Sequence, residues 1–179
     1  MQNSTVTEFL QRNKAIVAGH QALPFFPEFK EAGVPPHPTF VVACCDPRCV
    51  PEYFLNLKLT DGVVVCRNVG GHIGPAMKDI LALDAYVGLA TVMIIHHTDC
   101  GTLHFTDAII REKLMERLPQ QQEIDTMEFG SIKDIGLEQS VMEDLKMLRE
   151  NPLMRKDLAQ GATGYIFDVK TGVLSPVEG

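Results

Sequence analysis

The chain lacks any run of basic residues, and its formal net charge is -7 at pH 7. Docking to nucleic acid or to an anionic membrane is disfavoured by charge alone. A membrane-length apolar run is missing too. The longest, Val87 to Ile95, falls far short of the ~20 residues that span a bilayer. The first residues, MQNSTVTEFLQRNK, have no charged region followed by an apolar core, so a secretory signal is not expected. With Glu8 early and a single early arginine they also make a poor transit peptide, and the expected location is the cytoplasm. An even set of cysteines is lacking as well. There are five, and five thiols without an export signal argue against a disulfide framework and for metal or catalytic use.

What is present is an ordinary globular composition, 45% hydrophobic and 22% charged over 179 residues. That suits one domain spanning 1-179 with a sizeable core. Residues 1-38 read as an arm. Val6, Phe9, Leu10, Ile16 and Val17 have roughly helical spacing, and the Pro-rich LPFFPEFKEAGVPPHP follows. An apolar helix on a stiff connector suggests packing on a partner subunit.

The rest alternates strand and helix. Strands are expected at Thr39 to Cys45, Gly62 to Val69, Ala90 to His97 and Thr163 to Val169. Helices are expected after Pro75, over Thr106 to Leu118, and over LEQSVMEDLKMLREN before Pro152. PQQQEIDTMEFGSI reads as a polar loop. The fold class is therefore α/β, a mostly parallel β-sheet flanked by helices, with an N-terminal helical arm.

In such sheets, sites gather at the carboxyl ends of strands. One strand ends in Cys44-Cys45-Asp46-Pro47-Arg48, another in Arg67-Asn68-Val69-Gly70-Gly71-His72, a third in His96-His97-Thr98-Asp99-Cys100-Gly101. Alternation turns Cys44 and Asp46 one way and Cys45 the other, and likewise separates His97 from His96. Cys44 with His97-x-x-Cys100 makes a Cys₂His set, the three-ligand pattern of catalytic zinc. Asp46 then either coordinates the fourth position or accepts a hydrogen bond from metal-bound water. Arg48 decides between these by holding the carboxylate.

In this order, Cys44-x-Asp46-x-Arg48, Arg67-Asn68-x-Gly70 and His97-x-x-Cys100-Gly101 resemble the β-class carbonic anhydrases. HHTDCG and the segment ENPLMRKDLAQGATGYIFDVKTGVL are similar to the short-chain branch, which also contains carbonyl sulfide and carbon disulfide hydrolases. The resemblance covers about Thr39 to Leu174. It implies Zn²⁺ bound by Cys44, His97 and Cys100, and zinc-bound hydroxide that attacks CO₂ to give bicarbonate and a proton. It also implies Asp46 and Arg48 as the catalytic pair, with Asp46 as a fourth ligand in a closed state, and a homodimer or dimer of dimers. Val69 stands where alanine is usual, HIGPAMKD departs from an acidic entry, Lys78 replaces a common arginine, and His104 a small polar residue.

The remaining residues have plainer readings. Cys45 and Cys66 on apolar strands read as buried small hydrophobes. Cys49 reads as packing rather than a reactive thiol, and His96 as a satisfied core or interface histidine. His72 and His104 read as surface groups that are also able to shuttle protons. Gly70-Gly71 either turns the chain or offers amides to bicarbonate. Two alternatives to CO₂ hydration stand: hydrolysis of carbonyl sulfide or carbon disulfide at the same zinc, and a non-catalytic zinc or thiol redox sensor.

Overall fold

The computed structural model describes residues 4–178. The chain divides into two compact units between Gly33 and Val34, a few residues earlier than the arm boundary read from the prolines. The first contains helix α1 (Ser4–Val17), none of whose residues is buried. The second is the α/β body.

Its sheet comprises β1 (Thr39–Cys44), β2 (Val63–Asn68), β3 (Thr91–His97), β4 (Thr163–Phe167) and β5 (Leu174–Val177) in the order β2-β1-β3-β4-β5. The first four are parallel, and β5 pairs antiparallel with β4. β1 lies between β2 and β3 and is rich in β-branched residues, and all but its first residue are buried. β2 is an edge, which leaves Cys66 half-buried rather than in the core. β5 was not evident from sequence because it is short and contains Pro176. That residue sits opposite Tyr165 on an edge, where proline is tolerated.

The helices are α2 (Pro51–Phe54), α3 (Ile73–Val87), α4 (Asp107–Arg117), α5 (Gly136–Glu150) and α6 (Lys156–Gln160). α3 begins two residues before Pro75, which lies in its first turn as expected, and α6 is an addition to the sequence reading. α3 buries Ile73, Ala76 and Ile80, while α5 buries Ser140, Val141, Asp144, Leu145 and Leu148. These are three-four spacings that seat both helices on one sheet face. There they join Phe40, Val42, Val92 and Ile94 in the larger core cluster. The other face carries a smaller cluster of Val41, Ala43, Ile95 and Phe167 with Cys44, Cys49 and Cys100. Phe54 of α2 stacks on Phe167 with ring centroids 4.0 Å apart. β3 thus sends Ile94 and His96 toward α5, and Ile95 and His97 toward the smaller cluster.

Candidate metal centre

Cys44, His97 and Cys100 converge at the carboxyl ends of β1 and β3, all three buried, with donor atoms within 4.8 Å of one another. Register alone does not bring them together. Ala43 pairs with Ile95, so continued pairing would set Cys45, not Cys44, beside His97. β1 ends at Cys44, and the chain turns there through Asp46 and Pro47. Cys44 Sγ comes to 3.7 Å from Cys100 Sγ. Cys45 is exposed, which corrects its reading as a buried hydrophobe.

The turn is held from below. Arg67 donates through Nε to the Cys44 carbonyl at 3.1 Å and through Nη2 to the Asp46 carbonyl at 2.7 Å. Asn68 clamps the next turn, accepting from His72 N at 2.8 Å and donating to His72 O at 2.9 Å. Gly71 has φ +77°, and a Cβ there would lie 2.8 Å from Cys44 N. Only glycine lets this turn press against the cysteine's backbone. Gly70, at φ +81°, would place a Cβ 2.4 Å from His72 Nε2.

The donor set is short of protons and partners. His97 Nδ1 donates to the Thr98 carbonyl at 2.9 Å. That tautomer leaves Nε2 with a lone pair, and Nε2 is buried with no hydrogen-bond partner. Cys44 Sγ accepts from Asp46 N at 3.4 Å, and Cys100 Sγ from Thr102 Oγ1 at 3.1 Å. The bond from Cys44 holds the Cys100 thiol well below its ordinary value, helped by His97 and Thr102. The same bond, with burial, pushes Cys44 up. A buried thiolate beside an unpartnered imidazole nitrogen calls for a cation. Two sulfurs and one nitrogen suit zinc, and three protein donors leave a fourth position open.

Asp46 borders this set. Its Oδ2 lies 4.0 Å from His97 Nε2, while Arg48 grips both oxygens, Nε to Oδ1 at 3.0 Å and Nη2 to Oδ2 at 2.8 Å. The Arg48 bond holds the Asp46 carboxyl at about 2, so it stays ionised. Cys49 is buried, and burial pushes its thiol up to about 11, which agrees with packing rather than reactivity. His104 is exposed, as expected.

His72 is not a surface residue. Its Nδ1 lies 3.1 Å from Asp144 Oδ2 and its Nε2 3.0 Å from the Gly130 carbonyl. His96 Nε2 reaches the same Asp144 oxygen at 3.0 Å. A cavity of about 1050 Å³ opens beside this trio, lined by Val69, Phe105, Phe129 and Met147 among others, but by none of the three donors at the strand ends. Sequence reading missed Asp144, although a carboxylate in the buried stripe of α5 is itself a signal.

Fold and site together define an α/β protein with a candidate cysteine–histidine metal site at the ends of parallel strands. The family model described as carbonic anhydrase matches residues 39–174, and the chain belongs to that family, in its β class. A β-carbonic anhydrase 1 from Mycobacterium bovis is 29% identical over 138 residues, 76% of this chain and 80% of that protein. A carbon disulfide hydrolase from an Acidianus species is 24% identical over 152 residues, 74% of this chain and 73% of that protein. The crystal structure of a carbonic anhydrase from Streptococcus mutans superposes with a TM-score of 0.80 at 29% identity, covering 99% of this chain and 100% of that one. Among the described residues, no helix is long and apolar enough to cross a membrane.

Proposed function

We propose that this chain is a zinc enzyme that hydrates CO₂ reversibly to bicarbonate and a proton, with Cys44, His97 and Cys100 as the metal's protein ligands. The observation that carries this reading is the buried, unpartnered His97 Nε2 beside two cysteine sulfurs. Zinc held there supplies a Lewis acid and a water acidic enough to lose its proton near neutral pH. The chain's residues do the rest. Asp46 stays anionic and accepts a hydrogen bond at the open position, orienting the attacking oxygen toward substrate. Arg48, paired with both oxygens of Asp46, would keep that carboxylate away from a bound metal, and release of the pair would let Asp46 serve as a fourth ligand. Arg67 and Gly71 fix the Cys44 backbone so that its sulfur does not drift.

The carbon disulfide hydrolase relative supports a second reading, in which the same site attacks CS₂ or carbonyl sulfide, linear molecules with the same electrophilic carbon. A redox sensor has less support, because it needs neither Asp46 nor Arg48, and Cys49 is buried with its thiol pushed up. We place the enzyme in the cytoplasm as a homodimer or dimer of dimers. The unburied apolar residues of α1 support a second copy as the partner.

Metal analysis and parallel assays of one preparation test this. CO₂ hydration with about one zinc per chain is expected. Sulfide release from CS₂ or carbonyl sulfide without accelerated CO₂ hydration would transfer the assignment to the second reading. Zinc-free protein that is inactive on all three substrates would end both. Phe9→Asp in the full chain is expected to lower the mass measured by light scattering if α1 joins two copies.

A further inference from the structure

Arg48 is gripped on two edges. One edge holds Asp46. On the other, Nη1 donates to Asp99 Oδ2 at 2.7 Å and Nη2 to the Asp99 carbonyl at 2.9 Å. Asp99 is anchored in turn, with its Oδ1 3.0 Å from His104 Nε2. It stands between His97 and Cys100 in the left-handed region, at φ +54°. One guanidinium therefore ties the turn after β1 to the turn after β3, and four of its five N–H groups are engaged.

We propose that Asp99 is a positioning residue for the reaction: by fixing Arg48 from its outer edge, it keeps Asp46 paired with Arg48 and off the open metal position. This rests on the zinc reading given above. An arginine this exposed, held by a single carboxylate, keeps much of its rotamer freedom and follows that carboxylate when it moves. A second carboxylate on the opposite edge removes that freedom. Asp46 must then leave Arg48 behind in order to reach the metal. The distance to cover is small, since Asp46 Oδ2 is already 4.0 Å from His97 Nε2. His104, on the second oxygen of Asp99, restrains the anchor.

Asp99→Gly tests the proposal cleanly. Glycine keeps the left-handed backbone and the carbonyl acceptor while removing the carboxylate. The zinc content should stay at the wild-type level. The kcat for CO₂ hydration should fall roughly three- to tenfold, with KM changing by less than about twofold. The absorption spectrum of the resting cobalt-substituted protein should shift, because Asp46 spends more time on the metal. Asp99→Asn, which keeps an acceptor for Nη1, should recover much of the wild-type spectrum and kcat. A glycine variant with wild-type kcat and spectrum would overturn the proposal. So would a variant that loses metal in proportion to activity, since Asp99 would then only shape the ligand turn. A wild type inactive on CO₂, carbonyl sulfide and CS₂ would sink the functional reading, while the cobalt spectra would still decide the role of Asp99.

Discussion

His96 and His97 are neighbours on β3, yet they enter opposite kinds of cluster. His97 meets Cys44 and Cys100, and His96 meets His72 and Asp144. Each trio offers three potential metal donors within 4.8 Å. Proximity does not separate them, but proton bookkeeping does. In the histidine–aspartate trio every convergent atom is already answered. Asp144 Oδ2 accepts from both imidazoles, at 3.0 and 3.1 Å, and Oδ1 accepts from Ile73 N at 3.0 Å, at the start of α3. In the thiolate trio the two sulfurs share one contact at 3.7 Å, and the convergent His97 Nε2 has no partner. The first trio is a hydrogen-bond network that ties α5 to α3 and β3; its one unanswered atom, the buried His96 Nδ1, points away from the shared carboxylate that Nε2 bonds. The second has the donors to hold a cation.

The sharpest way to break this contrast is to cut one member from each trio. Cys100→Ala should lose most of its zinc, and CO₂ hydration should fall by at least about a hundredfold, while the thermal midpoint moves little once metal is absent from both proteins. Metal analysis and rate decide it. Full zinc and full rate in Cys100→Ala would show that the metal site is elsewhere. Asp144→Ala should do the reverse. It strips a buried carboxylate from two histidines and from the first turn of α3, at a cost of about 3 kcal/mol, while the folded fraction keeps its zinc. Urea unfolding with metal analysis reads both. An Asp144→Ala protein that loses zinc at unchanged stability would make the two trios one functional unit.

The thiolate trio was legible in sequence and the other was not, for a physical reason. Cys44, Asp46, Arg48, His97 and Cys100 lie at strand ends, where a short local motif dictates the geometry. The parallel α/β reading, which says where such ends collect, needs only alternating apolar segments. Yet alternation was incomplete even here. It separates Cys44 from Cys45, but register would set Cys45 beside His97; Cys44 reaches the site only because β1 stops and turns, which strand period does not encode. The link between His72 and Asp144 spans 72 residues and depends on how α5 lies across the sheet. Only the carboxylate within the apolar stripe of α5 hinted at it. The Asp99 contact with Arg48 bridges two turns and had no sequence signal beyond nearness to the ligands.

The smallest expected effect concerns the protonation of His72, and it separates the trios by pH. Both ring nitrogens of His72 face acceptors, Asp144 on one side and the Gly130 carbonyl on the other. An imidazole with one proton would leave a lone pair against an oxygen, so the geometry selects imidazolium. The groups facing it are Asp144 from α5, His96 from β3 and the Gly130 carbonyl from the loop, with the Cys100 thiolate adding a favourable field. Burial pulls the His72 pKa down, but the Asp144 bond and charge outweigh it, and the net shift is upward from 6.5. Burial likewise raises Asp144, but the two histidines outweigh that and hold it below 3.8. A raised histidine contributes its full stability below about 6.5, the unfolded value, and loses it as pH rises through the higher folded value. A depressed aspartate contributes above its unfolded value and loses that as pH falls through the folded one. The pair should therefore give a plateau across mildly acidic pH that declines on the alkaline side. Each unit of upward shift in His72 is worth about 1.4 kcal/mol. Urea midpoints of wild type and His72→Gln, followed from pH 6 to about 9, should converge as pH rises, because only the wild type has this term to lose. Parallel curves would mean that His72 keeps one charge state throughout, and that Gly130 is held by something other than its second proton.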